Sequence, residues 1–288
     1  MRQDRFPDTR AQCAGFTLIE AIIVIVIAGA LSVVAARFVG RPIEQYRDQT
    51  RRAEMTNTVD SAVRRMARDI HLALPNSVRS ANNSCVEFIP TYDGGRYRGA
   101  LTAGGAGNAM QNDVPITQLD VIGTLNSLPV SLVGDQLVIY NLGIENLDAY
   151  AGNNRTALSG YAGGTLSFAA EHFQISSPEN RFQLVSRDEE AVSFVCTGVG
   201  TDASGNGTGT LWRVSHYGFI APAPGACQNV AAGPPSISSI LATQVSRCVF
   251  SYAPGVVERS AIVSMRLNVT QAGETVSMYH DVNVNNVP

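Results

Sequence analysis

From Phe16 to Ala36 the sequence reads FTLIEAIIVIVIAGALSVVAA, 21 residues that are apolar or small with one exception, Glu20. About 20 apolar residues cross the hydrocarbon core of a bilayer as a helix, and a helix is required because lipid offers the backbone no hydrogen-bond partners. Thr17 and Ser32 can bond back to helix carbonyls, so Glu20 is the only strong polar group in the run. An acidic side chain at the centre of such a helix costs roughly 2.5–3.5 kcal/mol, and less towards the end where Glu20 sits. The carboxylate either snorkels to the headgroups, or is protonated, or meets a partner of opposite charge.

The flanks distinguish this run from an ordinary secretory signal, which has a basic start and a small-residue cleavage site after its apolar stretch. Here a polar leader with Arg2, Arg5 and Arg10 beside Asp4 and Asp8 ends at Gly15, before the run, and no small-residue site closes it. The segment Gly15-Phe16-Thr17-Leu18-Ile19-Glu20 resembles the processing site of type IV prepilins and type II secretion pseudopilins. That resemblance implies cleavage between Gly15 and Phe16 on the cytoplasmic side, N-methylation of Phe16 by the prepilin peptidase/methyltransferase, and Glu20 as the fifth mature residue. It also implies that Glu20 meets the N-terminal amine of a neighbouring subunit, making it an assembly contact. A lone buried charge is expensive, whereas one with a close opposite partner is tolerated and fixes register.

The remaining chain is large enough for a core, with 288 residues, 45% hydrophobic, and its net charge of -3 argues against nucleic acid as a partner. All 21 basic side chains of the Lys/Arg class are arginine, a skew that genome composition explains more simply than subunit packing does. Cys13 lies in the leader. Cys85, Cys196, Cys227 and Cys248 form an even set beyond the apolar run, which fits two disulfides in an oxidising periplasm with three connectivities open. Cys196 and Cys248 both lie in strong strand patterns, which favours Cys196–Cys248 with Cys85–Cys227. Counting arginines conflicts with that placement: Arg37, Arg41, Arg47, Arg51 and Arg52 follow the run, against three before it, and the positive-inside rule alone would leave the large domain in the cytoplasm. The cysteines and the processing motif outweigh the count, and the later arginines have acidic neighbours.

Val59, Val63, Met66, Ile70 and Leu74 recur at helical spacing, and Leu74-Pro75-Asn76 supplies a stop, so the helix is expected to continue to Leu74 with Pro42 as a kink or interruption. Asp48/Arg52, Asp60/Arg64 and Arg65/Asp69 are placed for i,i+4 pairs on its exposed face. Beyond Pro75 the pattern changes to short strands, expected at Cys85–Tyr92, Leu119–Leu125, Gln136–Leu142, Arg181–Ser186, Ala191–Cys196, Thr210–Ile220 and Arg247–Tyr252. The clearest signal is a closing hairpin, with Val263, Met265, Leu267 and Val269 alternating, a turn at Gln271–Glu274, then Val276, Met278, His280, Val282 and Val284. His280 is expected as a packed histidine on that apolar face. No catalytic motif appears, which predicts a protein that is not an enzyme and needs no cofactor or metal. Asp202–Gly207 begins like a calcium loop, but Arg213 stands where the bidentate glutamate belongs, so a flexible hairpin loop is expected.

A second resemblance runs over most of the chain. RRMARDIHLALPNSVRS, CVEFIPTYDGGRYR, GDQLVIYNLG, SRCVFSYAPG and HDVNVNNVP are similar to the MshO family of MSHA pilus biogenesis minor pilins, themselves similar in layout to J-type minor pseudopilins. The early proline common in pilin helices is replaced locally by Arg37. Together these readings predict an α+β, pilin-like fold: leader 1–15, membrane-spanning half-helix 16–36, periplasmic half-helix 37–74, and a β-rich head 75–288 in which the helix packs on an antiparallel sheet. The resemblance implies a non-catalytic minor pilin that is incorporated in, primes or caps a fibre. Its partners would be major and minor pilins, the peptidase, the inner-membrane assembly platform and, before assembly, membrane lipid. It would be single-pass in the bacterial inner membrane with the head in the periplasm, then in the pilus at the cell surface. The rival expectations are a membrane-anchored periplasmic binding protein or adhesin exported with a pilin-type leader, and a type II secretion pseudopilin.

Overall fold

The computed structural model describes residues 15–221, 225–230, 236–254 and 261–286. The leader before Gly15, with Arg2, Arg5, Arg10 and Cys13, lies outside the described residues, as do the side chains of Arg37 and Arg41. The chain forms two compact units, Met1–Arg51 and Arg52–Pro288.

In the first unit, helix α1 (Leu18–His71) begins, and it remains helical through Pro42. Its apolar side chains from Leu18 onward are exposed, and Asp48 pairs with Arg51 at 3.0 Å, one residue nearer than the Arg52 expected from sequence. Arg52 instead reaches Glu274 at 2.7 Å in the second unit, to which both belong.

In the second unit the remaining turns of α1 are amphipathic. Met55, Val59, Ala62, Val63, Met66 and Ile70 are buried together with apolar side chains of a seven-stranded sheet. The solvent side carries the expected Asp60–Arg64 pair at 2.7 Å. The expected Arg65–Asp69 pair is replaced by a longer-range one: Asp69 accepts from Arg213 at 2.9 Å, because Arg213 projects from the sheet beneath and also reaches Glu189 at 2.8 Å. The helix ends at His71; Ala73 N–H turns back to the Ile70 carbonyl, and Leu74 N–H leaves for the Ile89 carbonyl just before Pro75.

The head contains thirteen named strands: β1 (Arg79–Asn82), β2 (Cys85–Phe88), β3 (Asp93–Tyr97), β4 (Ile116–Ile122), β5 (Gln136–Ile139), β6 (Arg155–Ala162), β7 (Thr165–Glu171), β8 (Arg181–Val185), β9 (Val192–Thr197), β10 (Gly209–Ser215), β11 (Ile237–Ala253), β12 (Ala261–Gln271) and β13 (Glu274–Val284). They form two sheets where one was expected. The first, in the order β1-β2-β9-β10-β11-β12-β13, is open and antiparallel and carries the helix; the second, β3-β4-β7-β6-β5-β8, closes into a barrel.

The barrel has its own core, in which Tyr97, Leu119, Leu137, Ile139, Leu158, Leu166, Phe168, Phe182 and Leu184 are buried. Leu74, Ile89, Val138, Tyr150, Val185 and Ala191 form a further cluster shared by barrel strands and the residues leading into β2 and β9. Two-residue turns recur: Gly163 and Gly164 between β6 and β7 have φ of 59° and 82°, and Ala272 and Gly273 between β12 and β13 have 50° and 78°. Positive φ at both central positions matches the right-handed twist of the flanking strands.

Two expectations change here. His280 is exposed; it alternates with Met278 and Val282, but β13 is the outer strand of its sheet and His280 opens onto a groove along that edge. Residues 202–207 are a tied loop. Asp202 accepts from the N–H groups of Ser204 and Asn206 at 2.9 and 2.8 Å, Asn206 accepts from Ala272 N–H, and Gly273 and Gly207 donate to the carbonyls of Gly205 and Thr270. Those hydrogen bonds hold the Asp202 carboxyl below its usual range, Asn206 N–H foremost.

Candidate functional site

Gly15, Phe16 and Thr17 precede the first turn of α1. A Cβ on Gly15 would meet nothing within 4 Å, so nothing within the fold requires glycine there. Phe16 and Leu18 are 72% and 80% exposed, leaving the segment open to an external partner. Thr17 is the helix N-cap: its Oγ1 accepts from Glu20 N–H at 3.4 Å and its carbonyl accepts from Ala21 N–H at 3.2 Å. Glu20 therefore occupies the third helical position, and Thr17-Leu18-Ile19-Glu20 has the T-x-x-E spacing of a capping box. Sequence reasoning treated Glu20 only as an anomaly in an apolar run; that spacing was the missed signal. A carboxylate in the first turn also faces the positive end of the helix macrodipole.

From Leu18 to Ala36 the helix is long and apolar enough to cross a membrane, and none of that stretch is buried. Exposed apolar surface this continuous is unfavourable in water and is accounted for by lipid or by packed neighbours.

The four head cysteines form two bonds, Cys85–Cys227 with Cα atoms 5.7 Å apart and Cys196–Cys248 with Cα atoms 6.3 Å apart. Cys196 on β9 and Cys248 on β11 flank β10 and lie in the core beneath α1. Cys85, at the start of β2, holds the segment that follows β10 against the outer face of the sheet, where Val195, Val214 and Trp212 pack with it.

Beside that bond is a buried polar cluster that sequence reasoning did not identify. Glu87 on β2 is 3% exposed. It accepts from Arg79 Nε at 2.5 Å, from the Tyr217 hydroxyl at 2.8 Å and from Gln228 Nε2 at 3.4 Å. Arg79 also donates to the carbonyls of Ile220 and Ala221 and stacks over the Tyr150 ring at 3.4 Å. Burial, and next the nearby Glu87 charge, push the Tyr217 and Tyr150 hydroxyls far above their ordinary range. They therefore act as neutral donors, with Tyr150 donating to the Ser77 carbonyl at 3.0 Å. A fully engaged carboxylate under a covering segment is a structural tie, with no open face for a substrate. Among the described residues no group of three or more His, Cys, Asp or Glu is placed to hold a metal ion.

No curated protein and no solved structure matches the chain at a significant level. Residues 10–36 match a family model described as the prokaryotic N-terminal methylation motif, so the chain carries at its N-terminus a prepilin-type motif whose last residues are the exposed apolar helix described above.

Proposed function

We propose that this chain is a minor pilin, a non-catalytic subunit that is inserted in the bacterial inner membrane, processed, and then packed into, beneath or at the end of a type IV fibre of the MSHA kind, as its MshO-like segments suggest. The observation that carries the reading is the methylation motif over residues 10–36, joined to a helix whose apolar surface is wholly uncovered. Peptidase cleavage between Gly15 and Phe16 leaves Phe16 as a methylated terminus. Glu20, three residues beyond the Thr17 cap, then faces the amine of a neighbouring subunit. Residues 16–36 are held in lipid first and among other pilin helices later, while the disulfide-bonded head lies on the periplasmic side. The large head favours a priming or tip position over a repeating one.

Intact-mass measurement of the chain from membranes should give a mature N-terminus at methylated Phe16, and shearing should release the chain with the fibres. A start elsewhere sinks the pilin reading. A correctly processed chain that stays with the membrane while fibres are sheared favours the anchored binding protein or adhesin.

A further inference from the structure

The two edges of the seven-stranded sheet differ. At one, β1 has four residues, its register with β2 shifts, and the adjoining surface is clamped by Arg79 and the Cys85–Cys227 bond. At the other, β13 runs eleven residues in unbroken register with β12, from Gln271↔Glu274 to Ala261↔Val284, with no proline, lysine or bulge. Sheet edges of this length are usually blunted by such devices, because their free N–H and C=O groups accept another strand.

Which groups are free follows from the hairpin. A two-residue turn with both central φ positive closes on a hydrogen-bonded pair, here Gln271 and Glu274. Alternation then makes Thr275, Ser277, Tyr279, Asp281 and Asn283 the non-bonded positions, whose N–H and C=O point away from β12. His71 agrees with that assignment: its Nδ1 lies 3.3 Å from the Asn283 carbonyl. Four consecutive outward positions, Thr275 to Asp281, thus present a backbone ladder.

Alongside lies a groove of about 520 Å³ between the end of α1 and β13, lined by Ala67, Arg68, His71, Leu72, His280 and Val282 among others. Leu72 is 54% exposed. Arg68 has no carboxylate partner among the described residues, whereas Asp281 is engaged within its own sheet by Ser264 and Tyr279. The groove therefore offers an apolar strip with unbalanced positive charge next to an open ladder.

We infer that β13 is a strand-addition site for another envelope protein, which contributes an extended segment with apolar side chains towards Leu72 and an acidic side chain opposite Arg68. Main-chain bonds to Ser277, Tyr279 and Asp281 supply the attachment, and the Arg68 contact supplies register. This contact does not depend on the chain entering a fibre.

The test is photo-crosslinking in the native cells, with the full-length chain carrying a benzophenone amino acid in place of Ser277, Tyr279 or Asp281 in turn, and of exposed Thr58 on α1 as control. The expected result is crosslinks from the three edge positions to alternate residues of one extended segment of a different protein, at least fivefold above the control. Arg68→Glu should reduce the Tyr279-position crosslink several-fold, and so should Ser277→Pro, which removes an outward N–H without touching a bond to β12. Arg68 lies outside the sheet, so its variant keeps the test decisive if the proline variant misfolds. Edge crosslinks no stronger than the control, or unchanged by Arg68→Glu, overturn the inference. Crosslinks to a second copy of this chain also overturn it, in favour of self-pairing.

Discussion

Glu20 has two claims on its carboxylate, the local N-terminus of its helix and, in the proposed fibre, a neighbour's amine. Replacing it with leucine removes the one costly group from the apolar run, so membrane insertion should be unchanged or improved. If the neighbour's amine loses its partner, however, the cost is about 3–5 kcal/mol, and recovery of the subunit in sheared fibres, normalised to its membrane level, should fall by orders of magnitude. Wild-type recovery would leave Glu20 with the capping role alone. In the head, Glu87 is the residue with most at stake. Glu87→Ala leaves the Arg79 guanidinium, Tyr217 and Gln228 without their shared acceptor, and chemical unfolding should find a loss of about 3 kcal/mol or more. Asp120 offers a test by pH. Hydrogen bonds from the Asn108 side chain and backbone, then Thr165 and Arg98, hold its carboxyl far below the usual range. Its folded pKa is depressed, so the unfolded chain takes up the proton first. The stabilisation is complete above the ordinary aspartate pKa of about 3.9 and fades as pH falls below it. Asp120→Asn should therefore lower the thermal midpoint at pH 7, with a smaller difference at pH 3.

At the scale of elements, the β9–β10 loop shows how closely backbones approach. A Cβ on Gly207 would come within 1.9 Å of the Gln244 carbonyl oxygen, where β11 carries Gln244 at φ 56°. Gly207→Ala must push β11 aside and should cost on the order of 1–3 kcal/mol, as overpacking does; an unchanged thermal midpoint would mean the loop yields freely. What the sequence disclosed tracks the strength of its alternation. The closing hairpin was legible because Val263, Met265, Leu267 and Val269 are all buried. The helix was legible because its apolar residues recur at helical spacing on a core. β6 and β7 were not, because only Thr156, Leu158, Leu166 and Phe168 point into the barrel and the intervening Gly, Ala and Ser read as loop. The turn Gly163-Gly164 was the available clue. The barrel is built by pairing β3 with β8 and β4 with β7, contacts distant in sequence that no local pattern encodes. The Glu87 cluster was hidden for the same reason, since Arg79, Tyr217 and Gln228 converge only in space. His280 misled because alternation names a face but not whether anything covers it.

For the whole molecule, the two disulfides close long loops, with separations of 142 and 52 residues, and each should stabilise the head by about 2–4 kcal/mol. Non-reducing mass mapping should recover both pairs, and reduction should lower the unfolding midpoint of the full chain; four free thiols in protein taken from the periplasm would count against the placement of the head. The pleat of the sheet also bears on how those bonds are reached. Cys85 and Cys196 are the first two head cysteines to emerge during synthesis, and Cys85 stands directly across from Val195, so the thiols meet on adjacent strands long before Cys227 and Cys248 exist. Successive side chains of a strand point to opposite faces, and here Cys196 lies in the core beneath the helix while Cys85 lies on the far side. Once β2 and β9 pair, two thiols separated by one step of a strand are held on opposite sides of a wall, and the earliest wrong crosslink open to the oxidising machinery is removed by the geometry of the sheet itself.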